Sequence, residues 1–297
     1  MSGAVPGDNI TGRQKNVKGS MAFWPDDAGD ITTHAPRTFD FRDPTGTYAD
    51  AHVVETRIAD AREHPELKLE TCGFELFQRG TLVSDFYNCE EVMSVYYEEC
   101  RNFARELTGA ELTFTFDHLI REPGRQISGG GTDGQTRITD AEAGGGYIGS
   151  VHMDYTDNTT WHEYLSLQGQ EIPRNPSRVI SLNFWRPLSP VIQDNPLAVC
   201  DATTISREDL FETVFYGYGA DNYSWHDIGI ETYNVKYRDQ HRWYYYSEMT
   251  SEELLVIKSY DSRGVIGRAS PHASFRLPDA RGEPRRSIEL RVLCVVS

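Results

Sequence analysis

Apolar and polar residues alternate in short runs along most of this chain, which is the period of a strand with one buried face. The clearest run is LTFTFDHLIR over 112–121, where Leu112, Phe114, Phe116 and His118 alternate with Thr113, Thr115, Asp117 and Leu119. Comparable runs predict strands at 149–155, 178–186, 228–237, 241–247, 253–260 and 285–296. Residues 36–85 mix short apolar runs with turns and predict strands and loops leading into the body. Helical spacing is clearest over 88–108, where Val92, Val95, Tyr96, Phe103 and Leu107 recur at its period. Asn88 caps that helix, Glu91 stands at the capping-box position and Gly109 ends it. A second helix is expected from Ser206 to about Phe215, with Asp209 in its first turn. Thr250 and Glu253 also fit a capping box, which leaves a helix at 250–257 as the alternative to the strand there. Many strands with few helices predict a mainly β fold, a barrel carrying flanking helices.

Residues 1–20 are polar and glycine-containing and read as a flexible tail, with 21–297 as a single domain. From about 122 to 149 the chain is glycine-rich and polar, ending in GGGYIG. A stretch of that length without structure is either disordered or a lid over a functional site. No G-K-[ST] follows it, so it is not a phosphate loop. Across all 297 residues, 38% are hydrophobic and 11% aromatic, enough for a sizeable core. The net charge of −16 argues against nucleic acid and anionic membranes as partners. No run of 18 apolar residues occurs and no apolar leader follows Met1, so neither a transmembrane helix nor a secretory signal is expected. The five cysteines are odd in number, widely spread and lack any C-x-x-C pair, which predicts neither a zinc ribbon nor a disulfide framework. A reducing, cytoplasmic setting follows. The aromatic content would allow a homodimer, although no segment demands one.

Candidate chemistry sits in two places. In GSVHMDYT, His152 and Asp154 are two apart, so on a strand both face one side while Val151 and Met153 face the other. Taken alone, H-x-D reads rather as a hydrogen-bonded His–Asp pair on a strand than as a metal site. Near the C-terminus, PHASF supplies His272, and PRRSIELR supplies Arg285, Ser287, Glu289 and Arg291 at alternate positions. That polar face reads either as the solvated side of an edge strand or as a surface that binds something. Two imidazoles and a carboxylate are the ligand set of a non-haem Fe(II) oxygenase. An arginine 13 residues after the second histidine can clamp a carboxylate.

H-x-D, a distal His and a following R-x-S resemble the Fe(II)/2-oxoglutarate-dependent oxygenases. The segments VHMDYT, SLNFWRPL, PLAVCD, HRWYYYSEMTSEELLVIKSYDS, PHASF and PRRSIELR resemble one branch of them, from about residue 85 onward. That branch contains a bacterial cephem methoxylase component, fungal gibberellin desaturases and a fungal endoperoxide-forming oxygenase. The resemblance implies a double-stranded β-helix, the cupin-like jelly-roll barrel, with His152, Asp154 and His272 on the metal. It implies that Arg285 and Ser287 hold the distal carboxylate of 2-oxoglutarate, with Arg291 as the second choice. His226 and His241 are the other candidates for the third ligand, and His272 is favoured because neither has an R-x-S downstream. Asn183 reads as a co-substrate contact. Phe116, His118, Tyr155, Trp161 and Trp185 read as pocket lining, with core packing as the alternative for each.

The implied activity consumes 2-oxoglutarate and O2, releases succinate and CO2, and oxidises a small natural-product intermediate. Hydroxylation, desaturation, ring formation and endoperoxidation all lie within it. A jelly-roll metal enzyme that does not use 2-oxoglutarate and a non-catalytic barrel scaffold are the competing readings.

Overall fold

The computed structural model describes residues 16–40, 51–130, 135–140, 146–166, 170–173, 175–217, 229–264 and 267–297. Its strands run, in chain order, β1 Asn16–Phe23, β2 Arg37–Asp40, β3 His52–Asp60, β4 Phe74–Gln78, β5 Leu112–Glu122 and β6 Arg125–Gly129. They continue with β7 Arg137–Asp140, β8 His152–Met153, β9 Arg178–Pro187, β10 Leu197–Cys200 and β11 Leu210–Tyr216. The last five are β12 Ile230–Val235, β13 Trp243–Tyr245, β14 Glu253–Asp261, β15 His272–Ser274 and β16 Ser287–Val296. The helices are α1 Leu69–Cys72, α2 Cys89–Glu91, α3 Tyr97–Thr108 and α4 Trp161–Ser166. A π-helical segment, Val92–Tyr96, joins α2 to α3 into one continuous element.

Two sheets form among the described residues, in the orders β1-β3-β13-β10-β15-β8-β12-β11-β2 and β4-β14-β9-β16-β5-β6-β7. This is the expected mainly β jelly roll with flanking helices. In the second sheet, β9 and β16 pair along their full length, from Ser287 opposite Pro187 to Val296 opposite Arg178. Its outer face carries Ile180, Leu182, Phe184, Val256, Ile288, Leu290, Val292 and Cys294, packed with Tyr96, Tyr97, Cys100, Phe103 and Ala104 of the long helix. Each such side chain contributes about 1.5–3 kcal/mol on burial. The helix is therefore a packing element, as its spacing predicts. Asn88 Oδ1 accepts from the Glu91 amide at 3.2 Å, but Glu91 turns away to Ser84 and Asp85, so only half of the expected capping box forms. Gly109 closes the helix at φ 68°, in the left-handed region that glycine adopts without penalty.

Alternate residues on β9 and β16 face inward. Leu293 and Val295 continue that face in an apolar cluster with Phe116, Trp161 and Tyr260. Trp185, Leu255 and Ile257 meet Val199, Tyr244 and Tyr246 in another. Polar side chains from both sheets stand between these two clusters.

Several expectations are corrected. Residues 16–20, expected within the tail, belong to β1, which pairs with β3 from Asn16↔Ala59 to Phe23↔His52; residues 1–15 lie outside the described residues. The glycine-rich stretch expected as a lid or disordered contains β6, antiparallel to β5, and β7, antiparallel to β6, which together extend the second sheet. Its residues 131–134 and 141–145 lie outside the described ones. The helix expected from Ser206 stops after one 3-10 turn, Arg207–Asp209, because LFETVFY then runs as β11. The capping box there is real, with Asp209 bonded to both the Ser206 amide and hydroxyl, yet it caps a single turn. The strand prevails over the helix at 253–261. No helix among the described residues is long and apolar enough to cross a membrane.

Candidate active site

β8 and β15 lie side by side in the first sheet, with His152 directly opposite His272. Their rings are 4.6 Å apart between centroids. Asp154, one two-residue step beyond His152, brings Oδ1 to 3.7 Å from His152 Nε2 and 3.6 Å from His272 Nε2. One ligand atom from each of the three lies within 4.8 Å of the others. Val151, Met153 and Ala273 take the other face and pack with Met21, Phe23, Ile58 and Phe275.

The donors suit a divalent transition metal. His152 Nδ1 lies 2.8 Å from the Ser150 carbonyl and His272 Nδ1 lies 3.2 Å from the Ser270 carbonyl. Each carbonyl fixes the Nδ1–H tautomer and leaves the Nε2 lone pair directed at the group. Burial, and then the facing His272, push His152 down to about 4, so it is neutral and able to ligate at physiological pH. Burial works against ionisation of Asp154, but His272 and Arg291 outweigh it and hold its pKa at about 2. Two imidazoles and one carboxylate converging in a buried site fit Fe(II).

Two residues before β16 stands Arg285, whose side chain reaches β15 at Ser274, one two-residue step past His272. It is 1% exposed. Its guanidinium donates to the Asn195 carbonyl and to Ser274 Oγ at 3.2 Å. Asn195 takes φ 45°, a left-handed conformation tolerated by asparagine, and so presents that carbonyl. The guanidinium lies 4.3 Å from the centroid of the Tyr147 ring and 5.5 Å from that of Trp185. Among the described residues no carboxylate lies within ion-pair distance, and its Nε–H is buried without a partner. Burial pulls its pKa down to about 10, which leaves it a cation at neutral pH. An uncompensated buried charge is costly, so a site of this kind is built for an anion.

The other expected residues divide. Ser287 is buried and begins β16, pairing with Arg121 of β5 and Pro187 of β9. Arg291 faces inward but lies 3.8 Å from Asp117, so unlike Arg285 it has an acidic neighbour. Asn183 donates to Asp154 Oδ2 at 3.4 Å. Tyr155 and Trp161 rings are 4.6 Å apart, Phe116 stacks on Trp161 at 6.3 Å and Tyr260 meets it at 5.0 Å, forming one aromatic wall. His118 is not part of it. A bulge in β5 sets Phe116 and Asp117 opposite the single residue Arg291, so His118 turns to the helix side and meets Tyr97 Oη at 3.1 Å. His241 is apart from the metal group, 3.2 Å from Asp209, and His226 lies outside the described residues.

Sequence reasoning missed Ser259, whose Oγ donates to Asp154 Oδ2 at 2.6 Å. It also missed Ser274, although H-x-S places Ser274 on the face of His272 and so carried a usable signal. Arg121 and Lys258 are 6% and 1% exposed. Arg121 pairs with Glu289 at 2.9 Å and Lys258 with Glu70 at 3.0 Å.

The fold, with two histidines and one carboxylate brought together in it, matches the jelly-roll oxidoreductases as a class. Residues 26–295 match the family described as an oxidoreductase/YMDC permease-like domain. The hydroxylase/desaturase efuI of Hormonema carpetanum is 33% identical over 238 residues, 77% of this chain and 78% of that protein. The α-ketoglutarate-dependent dioxygenase phiK of a fungal species is 28% identical over 244 residues, 80% of this chain and 83% of that one. A solved structure of the iron and α-ketoglutarate-dependent endoperoxidase NvfI superposes with a TM-score of 0.75 over 97% of this chain and 99% of its own, at 23% identity, a likeness of fold. The chain belongs to this family of Fe(II)- and 2-oxoglutarate-dependent oxygenases.

Proposed function

We propose that His152, Asp154 and His272 hold the iron, that Arg285 clamps the distal carboxylate of 2-oxoglutarate, and that the enzyme hydroxylates or desaturates a small natural-product intermediate. The observation that carries this reading is the buried Arg285 guanidinium, without a carboxylate partner among the described residues and one strand step from the metal group. Two strands join the two points. β15 carries His272 and then Ser274, and β9 carries Asn183 and then Trp185. Each step is about 6.6 Å of strand, suited to a short dicarboxylate that reaches from metal to arginine. The reaction type follows the names of relatives such as efuI and CTB9, both called hydroxylase/desaturase.

Iron bound here supplies, with 2-oxoglutarate and oxygen, the oxidising power, and succinate and CO2 are the co-products. The chain's own part is positional. Ser274 and the Asn195 carbonyl aim the Arg285 fork, while Tyr147 and Trp185 exclude water from it. Phe116, Tyr155 and Trp161 offer a flat apolar wall to the substrate beside Asp154. Four of the five free cysteines are buried, in keeping with a reducing compartment such as the cytoplasm.

Anaerobic titration of the metal-free protein with Fe(II) and 2-oxoglutarate tests the reading. A weak visible band requiring both additions is expected, absent in His272→Ala. In Arg285→Ala the 2-oxoglutarate Kd should rise about 10- to 100-fold, the loss of charge-assisted hydrogen bonds, with Fe(II) affinity unchanged. Iron binding without a band would remove 2-oxoglutarate from the reading. Unchanged 2-oxoglutarate affinity in Arg285→Ala would remove the clamp.

A further inference from the structure

The two oxygens of Asp154 live in different surroundings. Oδ1 faces the two imidazoles. Oδ2 accepts from Ser259 Oγ at 2.6 Å and from Asn183 Nδ2 at 3.4 Å. Both donors come from the second sheet, on β14 and β9, whereas the ligands sit on or beside the first. We propose that Ser259, assisted by Asn183, is a positioning residue that occupies Asp154 Oδ2 and so restricts the carboxylate to one-oxygen ligation. The proposal rests on the assignment of Asp154 as a metal ligand.

The backbone at Ser259 supports a dedicated role. Lys258 pairs with Leu182 and Tyr260 with Ser181, so two steps along β14 match one step along β9 and Ser259 is the extra residue of a bulge. Lys258 takes the outer face with Glu70, and Tyr260 joins the inner aromatic wall. The inserted residue is the one whose hydroxyl reaches the carboxylate. Bulges of this kind re-aim a side chain at a site. Ser259 is 1% exposed, and its 2.6 Å contact is the short, charge-assisted kind. The consequence is chemical. Three single-atom protein ligands leave three positions on a six-coordinate metal, two for a chelating 2-oxo acid and one for oxygen. A carboxylate gripping with both oxygens would take one of them.

The test is metal binding, without turnover. Fe(II) and Co(II) affinities of the full chain are measured by chelator competition for wild type, Ser259→Ala, Ser259→Thr and Asn183→Leu, alongside the urea midpoint of each metal-free protein. Ser259→Ala should weaken metal binding about 10-fold or more, the usual effect of removing a group that orients a ligand. Ser259→Thr, which keeps the hydroxyl, should recover most of it, and Asn183→Leu should lose less than Ser259→Ala. 2-Oxoglutarate affinity for metal-loaded Ser259→Ala should fall as well, because the freed oxygen competes for its position. Wild-type metal affinity in Ser259→Ala, or an equal loss in Ser259→Thr, would overturn the proposal. So would a lower urea midpoint with unchanged metal affinity, which marks a purely structural hydroxyl. If Asp154→Ala itself binds metal as tightly as wild type, the ligand assignment fails instead, and the two failures are told apart.

Discussion

His241 and His272 are both buried histidines with an acid in reach, and their surroundings separate them. His241 Nε2 meets Asp209 Oδ2 at 3.2 Å, and that acid is already held by Ser206 and by Arg238 at 3.0 Å. His272 has its Nδ1 tied to a carbonyl and its Nε2 turned to Asp154 and the second imidazole. His241→Gln should therefore retain wild-type Fe(II) affinity, whereas His272→Gln should lose about 10-fold or more, as chelator competition will measure. The same comparison applies to the arginines. Arg291 is flanked by Asp117, so Arg291→Ala should raise the 2-oxoglutarate Kd less than Arg285→Ala. The candidate group was legible in sequence because its logic is local, H-x-D setting two side chains one two-residue step apart, while the resemblance rather than a strand period pointed to Arg285, which precedes β16. Ser259 and His118 were illegible for one reason. Each lies at or beside a bulge, and a single extra residue reverses the alternation on which the reading depends.

Elements with long regular patterns were legible with their ends, whereas of the short ones β8 and β13 were found inside longer expected strands, 149–155 and 241–247, and β15 was not found. β5, β9, β14 and β16 alternate for nine residues or more and were found within one or two residues of their ends. β8, β13 and β15 span two or three residues, too few for a period, and owe their existence to pairing with neighbours. β6 and β7 hid in glycine-rich sequence because pairing, of β6 with β5 and of β7 with β6, rather than their own propensity sets their path. Capping chemistry was a mixed guide. At Ser206 a full capping box precedes one turn only, since the following residues bury better as β11. At Asn88 the cap begins a real helix, and Gly109 ends it with no neighbour within 4 Å of where a Cβ would stand. Gly109→Ala therefore changes backbone strain alone and should cost about 1 kcal/mol. Asn88→Ala should likewise cost about 1 kcal/mol. Urea unfolding with an unchanged m-value checks both.

At the scale of the molecule, the candidate metal group lies where long-range interactions converge. β1 reaches across from β3: the Ala22 amide donates to the Gly149 carbonyl, and the Val151 amide donates to the Ala22 carbonyl, beside His152. Buried ion pairs fasten other distant segments. Arg178 at the start of β9 binds Asp261 at the end of β14, and Arg62 grips Glu253 at 2.8 Å. For Asp261, burial opposes ionisation but Arg178 outweighs it; for Glu253, burial is outweighed by Arg62. Both folded-state values therefore lie below the unfolded ones, about 3.9 for aspartate and about 4.3 for glutamate. A depressed carboxylate contributes stability that is fully present above its unfolded pKa and is lost as pH falls through the folded value. The chelator-treated protein should thus begin to lose stability as pH falls through about 6.5, where the unfolded His152 takes up a proton that the buried one, held down at about 4, does not, and should lose more below about 4 as these carboxylates protonate. Asp261→Asn removes one titrating group. It should be less stable at pH 7, with Arg178 deprived of its main partner, and should show a shallower decline below pH 4 than the parent. Parallel acid slopes for the two proteins would mean that the Arg178–Asp261 pair does not set the acid limit, and the remaining buried carboxylates, Glu253 first, would then carry it.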